Sequence, residues 1–153
     1  MALDDIDILL IDALQDDARA SYRDLGERVG LTPPAVAARM RRLERTGVIR
    51  GYTVSIEPAA IGYPLLGIMR VNSPGARHEI DEIAVTMPEV VECRRVTGAE
   101  SHVLRVWLRD TKHLEEVLDR LQPYGETITN IVTSSPVPRR ELRPSQLPGV
   151  TRR

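Results

Sequence analysis

The chain has 153 residues, 42% of them hydrophobic and 28% charged, with a formal net charge of -1. This composition excludes a disordered or collagen-like chain, and no apolar run approaches the roughly 20 residues of a membrane-spanning helix. Cys93 is the only cysteine, which excludes an internal disulfide and a cysteine-cluster zinc site; the acidic start Met1-Ala2-Leu3-Asp4-Asp5 is unlike a basic export signal, so a cytoplasmic location is expected.

Leu3, Ile6, Leu10 and Ala13, widened by Leu9 and Leu14, recur at helical spacing. Asp4 suits the N-cap of this first helix, and Asp5 and Asp7 suit the positive end of its dipole. A second helix is expected from Ser21, with Leu25 and Val29 inward and a stop at Gly30. Gly26 inside it costs about 1 kcal/mol of propensity against alanine, and two readings stay open: close helix–helix approach, or drift. The third helix has Thr32 as N-cap, Pro33 at its first position, Gly47 as its end and Val36, Met40 and Leu43 as its core stripe. Only Gly30-Leu31 separates helices two and three, and a turn that tight between crossed helices is helix-turn-helix geometry. Tyr52, Val54 and Ile56 then alternate as in a strand, which Glu57-Pro58-Ala59-Ala60 breaks.

Beyond Tyr63 the pattern changes. Leu65 to Val71 reads as a buried strand, and Ser73-Pro74 opens a helix with Ile80, Ile83, Ala84 and Met87 on one face. Val90 to Thr97 and His102 to Leu108 read as strands, followed by a helix with Leu114, Val117, Leu118 and Leu121 inward and a last strand around Thr127 to Thr133. The order βαββαβ is the ferredoxin-like split unit, whose open sheet face needs a cover such as a second copy. The fold class expected is therefore α+β: a winged-helix-like helix-turn-helix domain over residues 1–50, a hinge strand and linker over 51–62, a ferredoxin-like βαββαβ domain over 63–135, and a Pro/Arg-rich tail over 136–153, partly extended or disordered.

With Val36, Met40 and Leu43 buried, Ala35, Ala38, Arg39 and Arg42 are expected along a solvent face flanked by Arg41 and Arg45. Five arginines between Arg39 and Arg50 stand against the single acid Glu44. The guanidinium fork suits phosphate oxygens and the O6/N7 edge of guanine, and small residues let the backbone approach a groove. Thr32 and the free N–H groups of the helix start can take a phosphate. These residues (Thr32, Ala35, Ala38, Arg39, Arg41, Arg42, Arg45 and Arg50) are the candidate contacts to double-stranded DNA; an arginine-rich helix carried for solubility is the bland alternative.

Leu3-Asp4-Asp5-Ile6-Asp7, Leu14-Gln15-Asp16-Asp17-Ala18-Arg19, Val29-Gly30-Leu31-Thr32-Pro33, Arg39-Met40-Arg41-Arg42-Leu43-Glu44, Gly47-Val48-Ile49-Arg50-Gly51-Tyr52 and Val91-Glu92-Cys93-Arg94-Arg95-Val96-Thr97-Gly98 together resemble the leucine-responsive regulator/AsnC (Lrp/AsnC) family, from Leu3 to about Ser135. The resemblance implies a DNA-binding transcription regulator, associated with the nucleoid, whose second domain dimerises sheet to sheet and assembles further into octamers. It implies an amino acid or related metabolite as effector near the loop Thr97, Gly98, Ala99, Glu100 and Ser101, and it places Arg39 at the recognition-helix arginine. Ala38 stands where relatives carry a polar or basic residue. Relatives commonly read Gly-Asp-aromatic-Asp in the loop, whereas this chain reads Gly98-Ala99-Glu100-Ser101-His102. Without those aspartates to pair an ammonium, the effector is expected to be absent or not a standard amino acid, with Glu100 either turned inward as their substitute or, the bland reading, exposed in the loop.

No catalytic residue, cofactor or metal site is expected: His78, His102 and His113 lack metal-ligand spacing, and no phosphate loop or nucleophile elbow is present. Cys93 is read as packed and inert. Two alternatives remain: an effector-independent architectural DNA protein, and an enzyme resembling sirohaem decarboxylases, in which Arg94, Arg95, Arg105 and His102 would meet a tetrapyrrole acid.

Overall fold

Short polar residues start the helices of the N-terminal unit. In the computed structural model, which describes residues 3–138, 140–148 and 150, α1 spans Asp5–Asp16. Asp4 and Asp7 cap it reciprocally: the Asp7 N–H donates to Asp4 Oδ1 at 2.8 Å and the Asp4 N–H donates to Asp7 Oδ2 at 3.2 Å. Helix α2 (Tyr22–Val29) repeats the device with Ser21 and Asp24 and ends at Gly30, whose φ of 69° lies in the left-handed region glycine tolerates. Helix α3 (Pro33–Arg45) opens on two prolines after Thr32, whose side chain makes no capping bond. Leu10, Ala13, Leu25, Val36, Met40 and Leu43 form the core, with Leu3, Ile6, Leu14, Val29 and Ile49 packed around it.

The chain divides into two units, one built on residues up to Val54 with the tail from Val137, the other on Ser55–Pro136. The described part of the tail lies against α1, while residues 139, 149 and 151–153 lie outside the described residues. Gln15 Nε2 donates to the Leu142 carbonyl at 2.9 Å, Arg143 pairs with Asp16, and a 3-10 turn over Pro144–Gln146 packs against α1. That side of α1 carries Ile8, buried yet outside the main core, one turn from Asp12 and two from Gln15 and Asp16.

The strand expected from Tyr52 to Ile56 does not form: residues 51–57 have no regular structure, with Val54 82% exposed. Alternation marks a strand only where a neighbouring strand accepts its hydrogen bonds, and no such neighbour pairs with this segment among the described residues.

In the second unit the order is β1 (Leu65–Asn72), α4 (Arg77–Val85), β2 (Val90–Arg95), β3 (His102–Leu108), α5 (Thr111–Leu121) and β4 (Glu126–Ile131), the expected βαββαβ. The sheet is antiparallel in the order β2-β3-β1-β4. Helix α4 starts three residues later than expected, because buried Ser73 still belongs to the sheet end and donates its N–H to Ser101 Oγ at 3.3 Å. Strand β2 ends at Arg95 rather than Thr97. One sheet face meets both helices: Met69, Val71, Leu104, Val106 and Leu108 pack on Ile80, Ala84, Met87, Val117 and Leu121. Burial alternates along β1 and β3, so the opposite face presents Leu66, Ile68, Arg70, Val103, Arg105 and Trp107. No helix among the described residues is long and apolar enough to cross a membrane.

Candidate nucleic-acid interface and effector loop

Helix α3 is set on its neighbours by a cluster of charge. Asp7 is fully buried, so its carboxylate needs cations, and α3 supplies two. Arg39 Nη1 donates to Asp7 Oδ1 at 2.9 Å and to Asp4 Oδ2 at 2.5 Å; Arg42 Nη2 donates to both oxygens of Asp7 at 2.5 Å. Partial burial works against ionisation of Asp4, but the hydrogen bonds from Arg39 and the Asp7 N–H, with the charges of Arg39 and Arg42, more than offset it and hold the carboxyl below 3.8. The same hydrogen bond, outweighing desolvation, raises the Arg39 guanidinium.

The solvent face of α3 is therefore rotated from the one expected. Ala35, Arg39 and Arg42 are half-buried at the α1 side, while Pro34, Ala38, Arg41 and Arg45, at helical spacing, form the exposed stripe. Thr32 is exposed at the helix start, and Arg50 is exposed beyond the helix end. Arg41, Arg45 and Arg50 make no ion pair with any described residue, so their charge stays available. Glu44 accepts a hydrogen bond from the Tyr52 hydroxyl at 2.9 Å; burial first, then this acid, pushes the phenol up to about 12. The turn before α3 is tight enough that a Cβ on Gly26 would lie 2.4 Å from the Leu31 carbonyl oxygen, which decides for close approach over drift.

In the loop after β2, Thr97, Gly98 and Ala99 are exposed. Glu100 is half-buried rather than free, its Oε1 3.4 Å from Arg70 Nη1. Ser101 is buried and wholly engaged: its N–H and Oγ donate to the Val71 carbonyl at 2.8 and 3.0 Å, and its Oγ lies 2.8 Å from His102 Nδ1. Buried His102 reaches Asp81 through Nε2 at 3.2 Å, and Asp81 also pairs with Arg95. The Arg95 hydrogen bond first, then His102, hold the Asp81 carboxyl down to about 2. Cys93 is exposed on the edge strand rather than packed; partial desolvation, then Asp81, push its thiol up, which keeps it a poor nucleophile despite Arg95. Among the described residues no group of three or more His, Cys, Asp or Glu side chains is placed to hold a metal ion.

Comparison with known proteins assigns both units. Residues 3–44 match the AsnC-type helix-turn-helix domain, and residues 68–142 match the Lrp/AsnC ligand binding domain. The chain belongs to the Lrp/AsnC family of transcriptional regulators. The HTH-type transcriptional regulator LrpC of Bacillus subtilis is 32% identical over 88% of this chain and 94% of its own, and its solved structure superposes with a TM-score of 0.84. LrpA of Mycobacterium tuberculosis is 36% identical over 89% of each chain. The structure of Rv3291c of M. tuberculosis complexed with L-methionine is 34% identical, covers 94% of this chain and 100% of that one, and has a TM-score of 0.82. An Lrp/AsnC protein is a DNA-binding regulator and not an enzyme, so the tetrapyrrole reading is dropped.

The residues that sequence reasoning missed are Asp4 and Asp7 as partners of α3, and Asp81 as the partner of His102. A signal existed for Asp7: it lies four residues after Leu3 and three before Leu10, on the core stripe, where a carboxylate requires a cation.

Proposed function

We propose that this Lrp/AsnC protein reads a selected site on double-stranded DNA with the exposed stripe of α3, acting in the cytoplasm at the nucleoid as a homodimer that assembles further toward an octamer. The observation that carries the DNA reading is the set Arg41, Arg45 and Arg50, exposed and unclaimed by acids of the described chain, beside Ala38, which leaves room for a base edge. Thr32, whose hydroxyl makes no capping bond, and the Ala35 N–H, the one donor left at a helix start that opens on Pro33 and Pro34, complete it with a phosphate position. Dimerisation is supported by the open sheet face, where among the described residues no helix covers Leu66, Ile68, Val103 and Trp107, and Arg105 stacks on Trp107 at 5.8 Å. The unpaired segment with Tyr52, Val54 and Ile56 is a second apolar surface suited to such an assembly.

Mobility-shift titration against the DNA upstream of its own gene, with random competitor, tests the reading. Selective shifts support it; equal competition by random DNA would favour an architectural protein instead. Counting phosphate contacts refines it. Arg41→Ala is expected to make the logarithmic salt dependence shallower by about 0.9 for one lost contact. An unchanged slope would remove Arg41 from the interface.

For the second unit the effector is read as either absent or not a standard amino acid. Rv3291c was solved complexed with L-methionine, yet here Glu100 is tied to Arg70 and Ser101 to the sheet, so the loop offers no spare carboxylate for an ammonium. Calorimetric titration with L-methionine and L-leucine is expected to give no saturable heat, whereas stoichiometric binding of either would overturn this assignment.

A further inference from the structure

Arg39 is held by one nitrogen only. Nη1 takes both acid contacts, at 2.5 Å to Asp4 and 2.9 Å to Asp7, while Nε and Nη2 make no hydrogen bond to any described residue and reach solvent. The side chain stays 27% exposed on the flank of α3 next to Ala38, the small residue of the exposed stripe. A guanidinium is rigid and planar, so fixing Nη1 fixes the direction of the opposite edge, and that edge carries two parallel donors. Two parallel donors match the guanine O6/N7 edge or two oxygens of a phosphate.

The two acids divide the work. Asp7 is fully buried and also holds Arg42, so it is part of the packing between α1 and α3. Asp4 sits at the rim, 37% exposed, and holds no arginine other than Arg39. We infer that Asp4 is a positioning residue for DNA recognition: it clamps Arg39 from behind so that the free Nε/Nη2 edge meets a two-acceptor edge of the duplex. The inference rests on α3 being the helix that enters DNA.

Bulk electrostatics makes the opposite prediction, which gives the test its edge. Removing an acid beside the DNA surface lowers repulsion and, by charge alone, tightens binding to any duplex. Asp4→Asn removes the charge while leaving a side chain that caps a helix as well as aspartate does. The site is first selected by the unmodified protein from a pool of random duplexes. Asp4→Asn is then expected to bind that site roughly tenfold more weakly, the scale of one well-made base contact, while its affinity for random duplex is unchanged or higher. A base contact shows as lost preference at one guanine position; where the free edge meets a phosphate instead, random duplex weakens by the same factor as the selected site. Arg39→Lys is expected to lose selectivity likewise, since an ammonium lacks the second planar edge. Should Asp4→Asn melt early, Asp4→Ser, which caps through its hydroxyl, carries the same comparison. Equal or tighter binding of the selected site by these variants overturns the inference. Failure of the unmodified protein to select any duplex overturns instead the site-selective reading by α3, so the two failures are distinct.

Discussion

Asp7→Ala is expected to cost the N-terminal unit about 3–5 kcal/mol, the scale for removing one partner of a buried ion pair. The carboxylate is fully buried and takes contacts from Arg39 and Arg42, so its loss leaves Arg42 without an acid and Arg39 with Asp4 alone. The cap loses its second half as well, because the Asp4 N–H donates to Asp7. The readout is separable within one molecule. The only tryptophan, Trp107, lies on β3 of the second unit, while α1, α2 and α3 dominate the helical signal of the first. Helical ellipticity of the variant should fall early in a urea titration, with Trp107 fluorescence changing later. Because the penalty comes from uncompensated charge, the combined variant Asp7→Leu, Arg39→Met, Arg42→Leu should recover most of the loss. A single Asp7→Ala variant as stable as the parent would mean that the cluster contributes nothing to holding α1 on α3.

The same cluster marks where sequence reading stops. Caps and stripes were legible because they are local: Asp4, Ser21, Gly30 and the Val36–Met40–Leu43 spacing are enough to draw three helices and the tight turn. The direction of the α3 rim residues was not legible, since Arg39 precedes Met40 and Arg42 precedes Leu43, and a wheel drawn on α3 alone cannot know that a carboxylate on another helix waits beside them. Tyr52, Val54 and Ile56 failed as a strand for a related reason: period two describes a face, whereas a strand also needs a partner backbone. In the effector loop, the loss of the usual aspartates was plain in the letters. That Ser101 turns inward to Val71 and His102, and Glu100 sideways to Arg70, depends on a sheet register that no local pattern encodes.

Gly26→Ala reverses the sign that helix propensity assigns it. In a bare helix the change would stabilise by about 1 kcal/mol. Here the new methyl would sit 2.4 Å from the carbonyl oxygen of Leu31 and 3.6 Å from Cγ2 of Val36. The Leu31 contact is backbone, and it cannot swing aside as a side chain would, because the Leu31 N–H is itself tied to the Gly26 carbonyl at 3.0 Å. Relief therefore requires α3 to move away from α2, opening the contact between Leu25 and Val36 in the core. Overpacking of this kind costs about 1–3 kcal/mol, and a clash with backbone lies toward the upper end, so against a helix gain of about 1 kcal/mol the balance is a net loss of about 1–2 kcal/mol. For a unit of this size the melting point should drop by roughly 4–8 °C per kcal/mol. DNA affinity should fall further than stability alone explains, since the displaced helix is the one that carries Ala38, Arg41 and Arg45. Melting by circular dichroism beside a mobility shift measured well below the melting point separates the two effects. A variant that melts higher than the parent would show that the turn yields freely and that glycine is not required there.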